Sequence, residues 1–99
     1  MFMGDKYITQ GVRTQIPVYL QNILWYIIET MDIPKKDYLQ VFQLESVCEE
    51  GKRKQKIVHT QEQPAYRKSY AICTRRTFTC KVFVMDDHTH CTMLLADEY

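Results

Sequence analysis

The densest group of potential metal ligands lies between Asp86 and Cys91, where the sequence reads Asp-Asp-His-Thr-His-Cys. Carboxylate, imidazole and thiolate groups are the ligands that zinc takes in proteins, and His88 and His90 share one side if this segment is extended. The chain has no Cys-X-X-Cys pair and no His-Glu-X-X-His motif, and Asp is common in turns for local hydrogen-bonding reasons. We therefore predict a solvated turn here, with no metal ion and no other cofactor.

Cysteine-based catalysis would require a thiolate held beside an imidazole in an accessible cleft. His59 could pair with any of four cysteines, but nothing in the sequence marks one of them as exposed. The adjacent carboxylates Glu49-Glu50 and Asp86-Asp87 are poor acid–base pairs, because neighbouring residues on a strand point to opposite faces. We predict that the protein is not an enzyme; a metal- or thiol-dependent enzyme is the third functional hypothesis. The four cysteines, expected to be reduced thiols, are Cys48, Cys73, Cys80 and Cys91.

Hydrogen-bonding side chains cluster around the turn between His59 and Tyr66. Gln61 and Glu62 lie in this segment, and Gln40 is expected to emerge nearby from the preceding strand. Such a group could orient a small polar ligand or a peptide. It could equally satisfy its own backbone through local hydrogen bonds, and this second interpretation is favoured. The candidate polar ligand site therefore consists of Gln40, His59, Gln61, Glu62 and Tyr66.

Charge is distributed unevenly along the chain, although the net charge is only +1. The segment 52–81, called here the basic segment, contains nine basic residues and one acid, Glu62. Its net charge is +8, which leaves −7 for the rest of the chain and makes the sequence a charge dipole. The nine basic residues are Lys52, Arg53, Lys54, Lys56, Arg67, Lys68, Arg75, Arg76 and Lys81.

One amphipathic helix is predicted from about residue 17 to residue 31. Apolar residues recur with helical spacing through this range, Pro17 suits the first turn, and Ile33-Pro34 closes the helix. Three aromatic residues lie off this stripe and could extend the core or form an exposed patch for a partner. The apolar stripe is Leu20, Ile23, Leu24, Ile27, Ile28 and Met31, and the aromatic residues are Tyr19, Trp25 and Tyr26.

The rest of the chain has the composition of strands separated by tight turns, which favours an antiparallel meander. A sheet of this kind needs a cover on one face, and the helix supplies it. We therefore predict one α+β domain over residues 1–99, with the helix on an antiparallel sheet of five to six strands. The expected strands are residues 38–47, 54–61, 66–74, 78–85 and 90–96, with a further edge strand near 7–9.

A meander would bring alternate turns to the same end of the sheet. The turns at 49–53 and 74–77 would then be neighbours, which predicts a basic end formed by Lys52, Arg53, Lys54, Arg75 and Arg76. The acids near residues 37, 62, 86 and 87 would gather at the opposite end. A cationic surface of this kind attracts phosphates, nucleic acid or an acidic protein. The alternative, which is favoured, is a solvated rim of the sheet whose charge is neutralised by the acids at 49, 50, 97 and 98.

Several motifs, spread over nearly the whole chain, are similar to those of one family. The motifs are Tyr7-Ile8-Thr9-X-Gly11-Val12, Ile16-Pro17, Leu24-Trp25, Asp37-Tyr38-Leu39-Gln40-Val41-Phe42, Gln61-Glu62-X-Pro64-X-Tyr66 and Thr92-Met93-Leu94-Leu95-Ala96-Asp97-Glu98-Tyr99. They resemble the small proteins of Gram-positive bacteria and their mobile elements that are grouped as domain of unknown function 960. The resemblance implies a single cytosolic domain without a known activity, and it supplies no catalytic or binding residue.

The leading functional hypothesis is a non-enzymatic interaction protein that binds a protein partner through the basic end. An origin on a mobile element would make it a protein that blocks or sequesters a host component. The alternative is a nucleic-acid-binding protein that uses the basic strands 52–81, and the charge dipole also permits a homodimer. Residues 1–6 contain no export signal, and the apolar run Ile23 to Ile28 is too short to span a membrane. We therefore expect a cytoplasmic location and no membrane partner.

Overall fold

The computed structural model describes Phe2 and residues 4–99, which form a six-stranded mixed sheet and two helices; Met1 and Met3, which the single-domain prediction also covered, lie outside the described residues. The strands are β1 (Asp5–Ile8), β2 (Leu39–Glu49), β3 (Lys52–Gln61), β4 (Tyr66–Cys73), β5 (Cys80–Asp86) and β6 (His90–Leu95). The helices are α1 (Gln10–Gln15) and α2 (Val18–Thr30), and a 3₁₀ turn follows β6 at Ala96–Glu98. None of the helices in this part of the chain is long and apolar enough to cross a lipid bilayer.

The strand order is β1-β6-β5-β2-β3-β4, which corrects the predicted meander in two places. First, β5 pairs with β2 instead of β4, so the segment 74–79 is a crossover and not a hairpin turn. Second, β1 is parallel to β6, so the sheet is mixed and not purely antiparallel. The α+β class and the number of strands agree with the sequence analysis.

The apolar content of the strands explains why β5 lies beside β2. Pairing with β2 places Val82 next to Phe42, and both side chains are buried on the face that the helices cover. On the same face of β4, Lys68 is exposed. A strand beside β4 would therefore bury less apolar surface than the same strand beside β2.

Helix α2 agrees with the prediction to within one residue at each end. Pro17 occupies the N-cap position, and Met31 caps the other end shortly before Pro34. Helix α1 was not predicted, because six residues with one buried side chain, Val12, show no helical periodicity. The Thr9 hydroxyl oxygen accepts a hydrogen bond from the Val12 N–H at 3.4 Å, which caps the start of α1.

The hydrophobic core lies between the helices and one face of the sheet. Strand residues alternate, so every second side chain of the four central strands points to this face. Residues of α1 and α2 cover them, including Val12, Leu20, Leu24 and Ile28. The strand members of the core are Phe42, Leu44, Ile57, Val82, Val84, Cys91, Met93 and Leu95.

Gln55 fixes the path of the crossover from β4 to β5. Its side-chain oxygen accepts a hydrogen bond from the Phe78 N–H at 2.7 Å, and its Nε2 donates to the Phe78 carbonyl at 3.0 Å. The same Nε2 also donates to the carbonyls of Glu45 and Lys56, each at 3.0 Å. The buried amide thus pairs with both the N–H and the carbonyl of one crossover residue, as a neighbouring strand would.

Glu98 joins the last turn of the chain to the start of α1. Its carboxylate accepts hydrogen bonds from the Thr9 hydroxyl at 2.6 Å, the Gly11 N–H at 3.1 Å and the Leu95 N–H at 2.8 Å. These hydrogen bonds lower the pKa of Glu98 below its ordinary value. A Cβ at Gly11 would lie 2.6 Å from the Glu98 carboxyl carbon, so a side chain at this position would displace the carboxylate from its hydrogen bonds.

Replacement of Gln55 by leucine should lower the free energy of unfolding by about 2 kcal/mol, because the Phe78 N–H and carbonyl lose their partner inside the protein. Gln43→Leu is the matched control, since Gln43 is half-buried and its two hydrogen bonds are long, at 3.4 Å. Urea denaturation measures both variants, and amide exchange at Phe78 should accelerate only in Gln55→Leu. Equal losses in the two variants would contradict the anchoring role of Gln55.

The contact between Glu98 and α1 predicts non-additive effects of two substitutions. Gly11→Ala and Glu98→Ala should each lower the melting temperature, the first by steric overlap and the second by loss of three hydrogen bonds. In the double variant the methyl group no longer meets a carboxylate, so Gly11→Ala should add no further loss to Glu98→Ala. Thermal unfolding of the four proteins tests this, and simple additivity would refute the contact.

Candidate functional site

The basic segment lies along β3, β4, the crossover and the start of β5. Of its nine cations, Lys54 pairs with Glu49 at 3.3 Å. The other eight form no ion pair with any residue that the structure describes. Lys56 is half-buried and the remaining seven of these eight are exposed. This part of the surface therefore carries positive charge that the protein itself does not neutralise.

The two halves of the predicted basic end leave the sheet at the same end. Lys54 lies opposite Cys73 in the β3–β4 ladder, so the hairpin residues Lys52 and Arg53 and the start of the crossover are neighbours. The crossover then runs over the helix-covered face of β2 and β3, where the Thr77 hydroxyl donates to Ser46 at 2.9 Å. The proximity of the hairpin to the start of the crossover requires only that β3 pairs with β4. It does not require the complete meander from which it was predicted.

Arg76 departs from the rest of the basic end. Its guanidinium lies 5.2 Å from the centre of the Phe78 ring. Both residues line a groove of about 360 Å³ together with Arg13 and the segment 14–17, which comprises the end of α1 and the link to α2. Arg76 is therefore directed toward the helices, whereas Lys52 and Arg53 extend from the hairpin.

The face of the sheet opposite the helices is called here the open face, and the core cluster includes none of its side chains. Alternation places Lys56, Arg67 and Lys81 on this face together with Lys54. Half-buried apolar side chains, among them Leu39, Val41, Phe83 and Met85, lie on the open face nearer its other end. A depression of about 380 Å³ is lined by Asp37, Tyr38, Leu39, Val41, Thr60, Gln61, Glu62, Lys81 and Phe83.

Lys56, Arg67 and Lys81 belong to the basic segment but not to the basic end predicted from the sequence. The signal that identifies them is strand alternation combined with register. Lys56 lies opposite Glu45, and Lys81 lies opposite Gln43, two residues along the same face of β2. The strand order was needed to find this group, because Lys81 reaches it only when β5 pairs with β2.

The predicted polar ligand site is largely a hydrogen-bonded network inside the protein. The His59 Nε2 lies 2.6 Å from the Gln40 Oε1, and the Gln40 Nε2 donates to the Gln61 Oε1 at 2.7 Å. Gln61 in turn donates to the carbonyls of Lys35 and Pro64. All three side chains are buried, and they connect the loop before β2 to the β3–β4 turn.

The remaining members of that group, Glu62 and Tyr66, are exposed and half-buried respectively. The Tyr66 ring meets His59 edge-on, with ring centres 5.4 Å apart. Glu62 and Gln61 line the open-face depression, whereas Gln40 and His59 do not. The three buried side chains therefore have a structural role in the hydrogen-bonded network. Binding of a small polar ligand stays a prediction.

His59 is held as a neutral imidazole by its surroundings. It stacks on Phe42 with ring centres 4.5 Å apart, and burial lowers its pKa from 6.5 to about 4. The network assigns its proton to Nε2, because Gln40 presents an oxygen there and uses its nitrogen toward Gln61. Among the described residues, the His59 Nδ1 has no hydrogen-bond partner.

The predicted aromatic patch is wrong for one of its three residues. Trp25 is buried in the core, and the Lys6 ammonium lies 5.8 Å from its ring centre. Tyr19 and Tyr26 remain exposed on α2, at 46% and 65%. The error arises because Trp25 lies beside the apolar stripe of the helix, and an indole is wide enough to reach the core from there.

The histidine-rich turn is organised by Asp87. Its Oδ1 accepts hydrogen bonds from the N–H groups of Thr89 and His90, and its Oδ2 lies 3.0 Å from the His90 Nε2. These backbone hydrogen bonds are the main reason that the pKa of Asp87 is lowered. In the described chain, no three His, Cys, Asp or Glu side chains form a group that could hold a metal ion.

The four cysteines are free thiols in the structure. Cys48 and Cys73 are exposed, Cys80 is half-buried and Cys91 is buried. Burial raises the pKa of Cys80 and of Cys91, which favours the thiol over the nucleophilic thiolate. His59, the buried histidine, stacks on Phe42 and bonds to Gln40.

Most of the chain matches one known protein family. The family described as Staphylococcal protein of unknown function (DUF960) matches residues 5–98 of this chain. The chain belongs to this family. The match confirms the resemblance inferred from the motifs, and no curated protein matches the chain.

A solved structure shares the fold of this family member. It is the crystal structure of a protein of unknown function from Enterococcus faecalis, which is 22% identical with a TM-score of 0.75. The alignment covers 97% of this chain and 91% of that chain. At this identity the likeness shows the fold alone.

The lowered pKa of His59 predicts how stability depends on pH. Because the folded pKa is about 4 and the unfolded value is 6.5, the unfolded chain binds more protons between these pH values. The free energy of unfolding should therefore fall by about 3 kcal/mol as the pH drops from 7.5 to 4, as far as His59 contributes.

Urea denaturation at a series of pH values measures this dependence. His59→Phe should be less stable at pH 7.5, because the Gln40 oxygen loses its donor, and should lack this component of the pH dependence. His90→Gln, which changes a half-buried histidine at the surface, should keep it. An unchanged pH dependence in His59→Phe would contradict the assignment.

Proposed function

We propose that the protein is a non-enzymatic interaction protein that binds an acidic protein partner through the basic end and the adjoining open face. The observation that carries this proposal is the group of eight cations in the basic segment that form no ion pair with a described residue. Unpaired exposed cations keep their electrostatic attraction available for an external partner.

Acids lie at both ends of the sheet, and most cations of the basic segment form no ion pair with the acids that the structure describes. Asp37 and Glu62 lie at the end of the sheet where β2 begins and β3 finishes. Asp86 and Asp87 lie at this same end, since the Asp86 N–H donates to the Tyr38 carbonyl at 2.9 Å. The hairpin that closes the other end contains Glu49 and Glu50 as well as Lys52 and Arg53, so the excess of positive charge comes from β3, β4, the crossover and the start of β5 together and not from the hairpin alone.

The open face adds apolar contact area to the charge. Val41 and Phe83 are half-buried there and border the exposed Lys81. Protein interfaces commonly combine an apolar centre with a polar rim. This combination favours a protein partner over a small anion, for which charge alone would be sufficient.

Nucleic acid is the alternative partner. Binding of single strands combines cations with exposed rings on which bases stack. The exposed rings of Tyr19 and Tyr26 lie on α2, on the other side of the sheet from the open face, whereas the exposed Tyr38 lines the open-face depression together with Lys81. The hypothesis of a mobile-element protein that sequesters a host component stays a prediction, as does a homodimer.

Charge reversal at the basic end tests the proposal. Lys52→Glu combined with Arg53→Glu should weaken partner binding by about tenfold or more, because two attractive charges become repulsive. The matched control is Lys35→Glu with Lys36→Glu, which reverses two adjacent lysines in the loop before β2 and should change binding by less than about twofold.

The measurement is affinity purification from a nuclease-treated lysate of a bacterium that carries a family member, followed by titration of the recovered protein. That protein should be acidic, and its dissociation constant should rise steeply between about 50 and 300 mM salt. Two results would refute the proposal: recovery of no protein at low salt, or equal weakening by both pairs of substitutions. Binding that is seen only in a lysate without nuclease treatment would support nucleic acid as the partner instead.

A further inference from the structure

Strand β4 forms an edge of the sheet in the described part of the chain. It pairs with β3 through eight consecutive residues, from Tyr66 opposite Gln61 to Cys73 opposite Lys54. Alternate N–H and C=O groups on its other side therefore point away from the sheet. Five of its eight side chains are exposed, namely Arg67, Lys68, Ser69, Ala71 and Cys73.

Natural sheets protect such an edge with proline, a bulge, a very short strand, a covering segment or charged side chains. Strand β4 contains no proline, its register is uninterrupted, and it is eight residues long. The other edge strand, β1, has four residues. Of the protective devices, β4 uses only charge, and that charge comes from the adjacent residues Arg67 and Lys68.

Protection by cations alone is selective, because it repels some strands and attracts others. A second copy of β4 would bring together two strands that each carry a net charge of +2, from Arg67 and Lys68, which opposes self-pairing. A strand with carboxylates opposite Arg67 and Lys68 would gain two ion pairs in place of this repulsion. The charge therefore favours a different, acidic chain at this edge.

The two faces of β4 further define the added strand. On the helix-covered face, Tyr70 and Ile72 are half-buried and pack against the core. On the open face, Ser69 and Ala71 are small and leave space. A neighbouring strand would extend the core with apolar side chains at alternate positions beside Tyr70 and Ile72.

We propose that β4 binds an extended acidic segment of the partner as a seventh strand of the sheet. Arg67 and Lys68 point to opposite faces, so the segment carries two successive acidic residues at one end. Apolar residues follow at alternate positions on the helix-covered side. The inference rests on the proposed function, since it names the way in which the acidic partner is held.

A displayed library of random ten-residue segments, screened against the whole protein, supplies the probe. The selected sequences should combine two adjacent acids with alternating β-branched or aromatic residues. The synthetic consensus peptide is then titrated, and amide exchange of the protein is measured in its presence. Outward-facing amides of residues 66–73 should become protected.

Peptides N-methylated at alternate residues test strand addition directly. In one set of peptides the methyl groups replace the N–H hydrogens that point toward β4, which removes hydrogen bonds and should weaken binding by about tenfold or more. In the other set they replace the N–H hydrogens that point to solvent, which should have little effect. Arg67→Glu with Lys68→Glu should abolish binding, and Lys35→Glu with Lys36→Glu should not. Equal affinities for the two methylated sets would mean charge attraction alone and would overturn the inference.

The failure of this inference is distinguishable from that of the proposed function. Suppose that Lys52→Glu with Arg53→Glu weakens the binding of a recovered partner, but that no displayed segment protects the amides of β4 from exchange. Then only strand addition is refuted. If light scattering shows a dimer that Arg67→Glu with Lys68→Glu alters, the edge is occupied by a second copy and the inference is also refuted. If no acidic protein is recovered, the proposed function fails as well.

Discussion

The fold and its candidate surfaces depend on the burial of apolar side chains between β2 and β5, on the face that the helices cover. The Gln55 side chain holds the crossover that brings β5 there, because it pairs with the N–H and the carbonyl of Phe78. If β5 instead followed β4 as a hairpin, β4 would be an inner strand and Lys81 would lie far from Lys56. The open edge of β4 and the grouping of cations on the open face therefore both follow from the position of β5.

The charges of the folded protein are only partly separated. The two hairpins on either side of β3 close at opposite ends of the sheet. Glu49 and Glu50 share one of these hairpins with Lys52 and Arg53, so the excess of cations lies in β3, β4, the crossover and the start of β5 and not in the hairpin itself. The apolar side chains near Phe83 lie on the same face as several of these cations, which is how cations and an apolar area come to share the open face.

The motifs that resemble the family coincide with long-range contacts within the fold. Thr9 and Gly11 meet Glu98 across the whole length of the chain, and Gln40 meets Gln61 across the β2–β3 pair. These side chains satisfy buried or terminal backbone groups that would otherwise lack partners. A family can therefore be recognised from residues that specify its fold, while the proposed partner surface is built from less distinctive lysines and arginines.

The sequence by itself determined the α+β class, the limits of α2 and the approximate limits of all six strands, because periodicity and turn residues are local properties. It also located the nine cations. The sequence did not determine the strand order. The pairing of β5 with β2 and of β1 with β6 depends on which strand faces bury the most apolar surface together, and this requires a comparison between segments that are distant in the chain. The same reason explains why Trp25 could not be assigned to either the core or an exposed patch, why Gln40 and His59 were considered for a ligand, and why Arg67 and Lys68 were not recognised as an edge. Burial and edge position are properties of the assembled sheet, and only the tertiary structure decided them.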